Sequence, residues 1–141
     1  MVLEETRLPV VLVVDDNEEI RELLRLWLEA RECRVVEASD GAEAVEVARR
    51  ERPDLIFMDL HLPEIDGFSA AYRIRLYGGA GSRVPIVAIS ADGVLGVEVQ
   101  HPSRGRDVGF NDFAPKPFSP GQLEQLLERY LPKPGGDAGG D

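Results

Sequence analysis

The chain has 141 residues, 43% apolar and 30% charged, with a formal net charge of −10. A chain of this size forms one ordinary domain that buries about two-thirds of the surface its unfolded state exposes, and the composition excludes the disordered class. The acidic balance argues against direct nucleic-acid binding, which rests on Lys and Arg neutralising phosphates.

The lone Cys33 excludes an internal disulfide, and neither a zinc-ligand pattern nor a secretory signal is seen. No run reaches membrane-spanning length, so no membrane partner and a cytoplasmic location are expected.

Residues 8–14 are an apolar, β-branched run without alternation, the pattern of a parallel strand covered on both faces. Asp15 and Asp16 close it. Ile20, Leu23, Leu24, Trp27 and Leu28 then recur at i, i+3, i+4, i+7 and i+8, one apolar stripe on a helix, and Asp16 with Glu19 resembles its capping box. A short strand over 34–37 leads to a Ser39-Asp40-Gly41 turn and a helix with Ala44, Val45 and Ala48 on one face, ended by Pro53. Residues 55–58 form the third strand, closed by Asp59. Pro63 and Gly67 set a loop over 62–67 before a third helix over 68–77, stopped by Gly78-Gly79.

Residues 85–90 form a fourth apolar strand ending at Ser90, and 111–114 a short fifth. Leu123, Leu126, Leu127 and Tyr130 mark a final amphipathic helix. Strands alternating with helices predict an α/β fold with a doubly wound, five-stranded parallel sheet. Between 92 and 109 the alternation asks for a fourth helix, yet Gly93, Gly96, Pro102, Gly105 and Gly109 fall there, each costly inside a helix. That element is expected to be short, broken or mobile, either as a plain surface loop or as a segment that orders on a partner. One domain over 1–131 and a disordered tail over 132–141 are expected, since the tail has no large apolar residue to bury.

In open parallel sheets, ligands bind outside the carboxyl ends of the strands near the topological switch point. There the chain puts Asp15 and Asp16 after the first strand, Asp59 after the third, Ser90 at the end of the fourth and Lys116 after the fifth. Singly, each has a plain alternative: a helix cap, a solvated loop residue, a strand-end hydroxyl, a surface lysine between prolines. Jointly they converge on one edge. Three carboxylates so close repel and raise one another's pKa values unless a cation is present, and Mg²⁺ suits them because it takes one or two carboxylates and completes its shell with water and phosphate oxygen. Asp59 is then the nucleophile for a phosphoryl group, with Lys116 as a second positive charge and Ser90 as a hydroxyl donor.

Together these residues resemble the receiver domain of two-component response regulators, in the single-domain manner of chemotaxis response regulators. The resemblance rests on Val11-Leu-Val-Val-Asp-Asp-Asn17, Leu55-Ile-Phe-Met-Asp-Leu-His-Leu-Pro-Glu-Ile-Asp-Gly67, Ile86-Val-Ala-Ile-Ser-Ala91 and Phe113-Ala-Pro-Lys-Pro-Phe118, in order, within residues 8–130. It implies a flavodoxin-like strand order 2-1-3-4-5. It further implies that Asp59 accepts a phosphoryl group from a sensor histidine kinase or histidine phosphotransfer protein. Asp16, Asp59 and the His61 backbone carbonyl would bind Mg²⁺ directly, with Asp15 acting mainly through a bound water. Ser90 and Phe113 would form the switch pair, the Lys116-Pro117 bond would be cis, and the signal would pass to an unidentified protein target through the surface around the last two strands and their helices.

The chain departs from the pattern in the length and glycine content of 92–109. His61 and Asp92 occupy positions that in this family tune the lifetime of the phosphoryl bond, so an altered dephosphorylation rate is expected. Such a protein is a phosphoacceptor and not a turnover enzyme on small substrates. The rival readings are a Mg²⁺-dependent phosphatase with an aspartyl nucleophile, as in haloacid-dehalogenase-like proteins, and a receiver-like scaffold that is never phosphorylated. In the former the usual motif has a second Asp where this chain has His61. A receiver cut from a larger hybrid kinase or transcription factor would have the same sequence.

Overall fold

β1 (Val10–Val14), β3 (Leu55–Asp59) and β4 (Ile86–Ser90) are buried along their whole length, as unbroken Val, Ile and Leu runs require of strands covered on both faces. β2 (Arg34–Ala38) and β5 (Asp112–Pro115) flank them, giving a five-stranded parallel sheet in the order β2-β1-β3-β4-β5. The expected α/β topology is the observed one. The computed structural model describes residues 7–77, 83–93, 99 and 109–131.

Among the described residues the helices are α1 (Glu18–Glu29), α2 (Gly41–Glu51), α3 (Gly67–Leu76) and α4 (Pro120–Tyr130). Alternate strand residues serve opposite faces. Val11, Val13, Leu55 and Phe57 pack with Leu24 and Leu28 of α1 and Leu123 and Leu127 of α4. Leu12, Val14, Ile56 and Met58 pack with Ala44 and Ala48 of α2 and Ala70 and Ile74 of α3. No helix among the described residues is long and apolar enough to cross a membrane.

The helix ends are set by short polar side chains. α4 opens with a capping box between Ser119 and Gln122 and has Pro120 in its first turn, where a missing N–H costs nothing. Asp40 caps α2 through the Glu43 N–H at 2.7 Å, and Arg52 closes that helix in the left-handed region at φ 50°. The cap of α1 differs from the sequence reading. It is Asn17, whose Oδ1 accepts the backbone N–H groups of Glu19 and Ile20 at 2.9 and 3.2 Å, and not Asp16. Asn and Asp cap equally well, and capping by Asn17 leaves the Asp16 carboxylate to the sheet edge.

Gly67 is the first residue of α3, N-capped by Asp66, where the sequence suggested loop. At the opposite end of the sheet the Arg75 guanidinium donates to the Val84 carbonyl at 2.5 Å, to the Gly109 carbonyl and to Asn111 Oδ1 at 3.0 Å, fastening α3 to the entries of β4 and β5. The expected glycine stop at 78–79, most of the weak helix over 92–109 and the tail over 132–141 lie outside the described residues. Within 92–109, Val99 is buried beside Leu60 and Ala88.

Candidate functional site

Four strands deliver polar residues to one edge. Asp15 and Asp16 follow β1, Asp59 is the last residue of β3, Ser90 the last of β4, and Lys116 follows β5. One carboxylate oxygen from each of Asp15, Asp16 and Asp59 lies within 4.8 Å of the others; Asp15 and Asp59 are buried and Asp16 is exposed. Lys116 Nζ sits 2.6 Å from Asp15 Oδ2 and 3.4 Å from Asp59 Oδ2. The Lys116-Pro117 bond is cis.

Asp15 is held on every side. Its N–H donates to the Ala38 carbonyl at 3.1 Å, its Oδ1 accepts the Asn17 N–H at 2.9 Å, and its carbonyl accepts Arg21 Nη1 at 2.8 Å. Asp59 Oδ1 accepts the His61 N–H at 3.1 Å. That bond ties the start of the loop after β3 to the Asp59 side chain. Ser90 is buried, and its Oγ accepts the Asp92 N–H at 2.9 Å. His61 Nε2 and Asp92 Oδ2 approach to 3.3 Å, linking the loops after β3 and β4. Phe113 is half-buried and packs with Phe110 against Leu60, Ala88 and Val99.

Burial and the neighbouring Asp15 charge push the Asp59 carboxyl up to about 6, against the His61 N–H and the Lys116 ammonium, which pull it down. Lys116 is itself raised: burial lowers it, but its hydrogen bond to Asp15 and the charges of Asp15 and Asp59 together outweigh that. One ammonium cannot balance three carboxylates, and burial makes the excess negative charge costly. A small, hard divalent cation fits this donor set, and Asp15, Asp16, Asp59 and the His61 carbonyl are the groups that could hold it.

Beside the acidic cluster runs an apolar groove of about 270 Å³, lined by Ile20, Leu23, Trp27, Lys116, Pro117 and Phe118 among others. Trp27 and Phe118 meet edge to face at 6.4 Å.

The structure brings together the acidic, hydroxyl and lysine residues that the sequence singled out and adds two that it missed. A Cβ at Gly67 would fall on the Asp59 carbonyl oxygen and lie 2.8 Å from Leu60 Cα, so only glycine lets α3 start this close to the end of β3. Arg21, on the polar face of α1, reaches back to the Asp15 carbonyl. The signal for it was positional: helical side chains lean toward the N-terminus, and Arg21 stands in the first turn after the acidic pair.

The family model of the response regulator receiver domain matches residues 11–128. The chain is similar to the response regulator MprA of Mycobacterium leprae, 36% identical over 119 residues that make up 84% of this chain and 48% of that protein. It spans about half the length of the curated relatives it matches. Among solved structures, chemotaxis protein CheY4 of Vibrio cholerae superposes with a TM-score of 0.78 at 29% identity, over 89% of this chain and all of that one. The receiver domain of the sensor histidine kinase PA1611 from Pseudomonas aeruginosa, which has a magnesium ion coordinated in its active-site cleft, superposes at 0.74 with 34% identity, over 88% and 98% of the two chains.

Proposed function

The chain belongs to the response regulator receiver family, and from that premise we propose that Asp59 takes a phosphoryl group from a phosphohistidine donor in a reaction that uses Mg²⁺. Receivers of two-component systems are phosphoacceptor signalling proteins. The observation that carries the assignment to Asp59 is its position: a buried carboxylate at the end of a central strand, with Asp15 and Asp16 within 4.8 Å and Lys116 Nζ at 3.4 Å.

In the transfer, an Asp59 carboxylate oxygen forms the bond to phosphorus as the P–N bond to the donor imidazole breaks, and the imidazole nitrogen regains a proton. Asp15, Asp16, Asp59 and the His61 carbonyl would hold Mg²⁺, which neutralises charge on the phosphoryl oxygens when bound. Lys116, already poised between Asp15 and Asp59, moves its ammonium onto a phosphoryl oxygen. Ser90 donates its hydroxyl to another, which requires that Oγ turn from the Asp92 N–H, and the half-buried Phe113 ring moves further inward against Leu60 and Ala88. Ser90 and Phe113 are thus the switch pair in this reading.

The donor is a sensor histidine kinase or histidine phosphotransfer protein, which seats an apolar helix face in the groove between α1 and the Lys116-Pro117-Phe118 turn. The groove supports this because Lys116 lines both the groove and the acidic cluster. The signal then passes by protein contact to a downstream target in the cytoplasm. The domain makes no direct nucleic-acid contact, consistent with its net charge of −10, and it turns over no small ester.

Intact mass after incubation with acetyl phosphate tests the assignment. A single phosphoryl adduct is expected in the wild type, dependent on Mg²⁺ and absent from Asp59→Asn. An adduct that persists in the variant would overturn the choice of Asp59.

A further inference from the structure

Arg21 stands in the first turn of α1, and its guanidinium spans two acceptors, one just past the end of β1 and one on β2. Nη1 donates to the Asp15 carbonyl at 2.8 Å and Nε to Glu37 Oε1 at 3.0 Å; the Arg21 side chain is 17% exposed. Glu37 lies on β2 opposite Val13 of β1, one register step from the Ala38 carbonyl that takes the Asp15 N–H. Arg25, one turn further along α1, pairs with the other Glu37 oxygen at 3.4 Å.

The carbonyl that Arg21 holds belongs to the peptide joining Asp15 to Asp16. A peptide unit is planar, so fixing its oxygen fixes the direction in which the Asp16 Cα leaves it. Asp15 is also anchored through its side chain by Asn17 and Lys116. Asp16 is the exposed member of the acidic cluster.

We infer that Arg21 is a positioning residue for divalent-cation binding, setting the Asp15-Asp16 peptide so that the Asp16 carboxylate faces Asp59, while Glu37 cancels the charge that would otherwise oppose a cation. The inference rests on reading the acidic cluster as a Mg²⁺ site. A guanidinium beside three carboxylates should, by charge alone, weaken cation binding, and removing it should strengthen binding. Positioning predicts the opposite sign.

The test is calorimetric titration of Mg²⁺ into the wild type, Arg21→Ala, Arg21→Lys and Arg25→Ala, under conditions where urea unfolding shows each to be folded. Arg21→Ala is expected to bind Mg²⁺ about tenfold more weakly, the loss typical when a group supporting a metal ligand is removed. Arg21→Lys, with one ammonium for two acceptors, should fall between, and Arg25→Ala should match the wild type because the Asp15 contact survives. Equal or tighter binding by Arg21→Ala would overturn the inference. Should Arg21→Ala not fold, wild-type affinity in Arg21→Lys would overturn it equally. No Mg²⁺ binding by the wild type would overturn the reading of the acidic cluster and this inference with it, a result distinct from equal affinities among proteins that all bind.

Discussion

Lys116 Nζ and Asp15 Oδ2 lie 2.6 Å apart, joining residues 101 positions distant in the chain. The Asp15 side chain is 1% exposed and that of Lys116 19%, so this pair is shielded in a way the surface ion pairs are not. Removing the cation leaves a buried carboxylate uncompensated beside Asp59, a change that costs about 3 kcal/mol at such sites. Lys116→Met should therefore lose about that much stability in urea at neutral pH without divalent cation. Equal midpoints at neutral pH would show that the pair does not hold the end of β5 to β1.

Asp59 sets a pH dependence of the opposite sense to an ordinary paired carboxylate. Its folded-state value of about 6 lies above the ordinary aspartate value of 3.8, so the folded protein binds this proton more tightly than the unfolded chain does. The stability it contributes is present in full below about pH 4 and is lost as pH rises through 6. Asp59→Asn should remove that slope and, at pH 7.5 without Mg²⁺, be more stable than the wild type by up to about 3 kcal/mol. Thermal melts of the two proteins from pH 4 to 8 measure the difference directly, and parallel curves would refute it. Mg²⁺ should raise the wild-type melting temperature more than that of the variant.

At Gly67 the missing Cβ is what lets α3 begin against the Asp59 carbonyl. Gly67→Ala must push the helix start away from backbone that cannot yield, and overpacking of this kind costs about 1–3 kcal/mol. Because the displaced atoms belong to Asp59 and Leu60, phosphorylation by acetyl phosphate should slow along with the loss of stability. A variant with wild-type stability and rate would mean that the loop over 62–67 absorbs the change.

Leu23 is 43% exposed and lines the groove beside Lys116. Leu23→Asp should slow phosphotransfer from a phosphohistidine protein about tenfold, the equivalent of losing one good apolar contact at an interface. Acetyl phosphate, which needs no docking surface, should phosphorylate it at close to the wild-type rate. Equal slowing with both donors would place the defect in the acidic cluster and not in docking.

His61 and Asp92 tie the loops after β3 and β4 across the mouth of the site. Loosening that tie opens the aspartyl phosphate to water. Phosphate release from phosphorylated His61→Ala should be faster by about two- to fivefold, the scale of an exposed ion pair expressed as a rate. Identical release rates would remove His61 from any part in the lifetime.

Asp15, Asp59, Ser90 and Lys116 were legible because each ends or follows a segment read as a strand, and a polar residue ending a parallel strand must emerge at its carboxyl edge. The cap of α1 was misread because Asp16 and Asn17 are chemically equivalent as caps; the difference is which side chain the sheet edge needs. Arg21 carried only a positional signal, its place in the first turn after the acidic pair, and was missed for a different reason. Periodicity assigns it to the solvated face of α1, and its contacts depend on the register that sets Glu37 opposite Val13, a property of two strands and not of one segment. Gly67 likewise read as a loop glycine, since only the approach of α3 to β3 makes its lack of a side chain necessary.

Phe57 and Met58 are neighbours in the chain, yet they belong to cores on opposite faces of the sheet. The sheet is a wall between two rooms, and two adjacent labels on β3 would hear different conversations. A fluorinated Phe57 would report on the room roofed by α1 and α4, and a methyl label on Met58 on the one roofed by α2 and α3. Both stand one or two residues from Asp59, so the two spectra together could tell a disturbance arriving from a partner on α1 from one spreading toward α3.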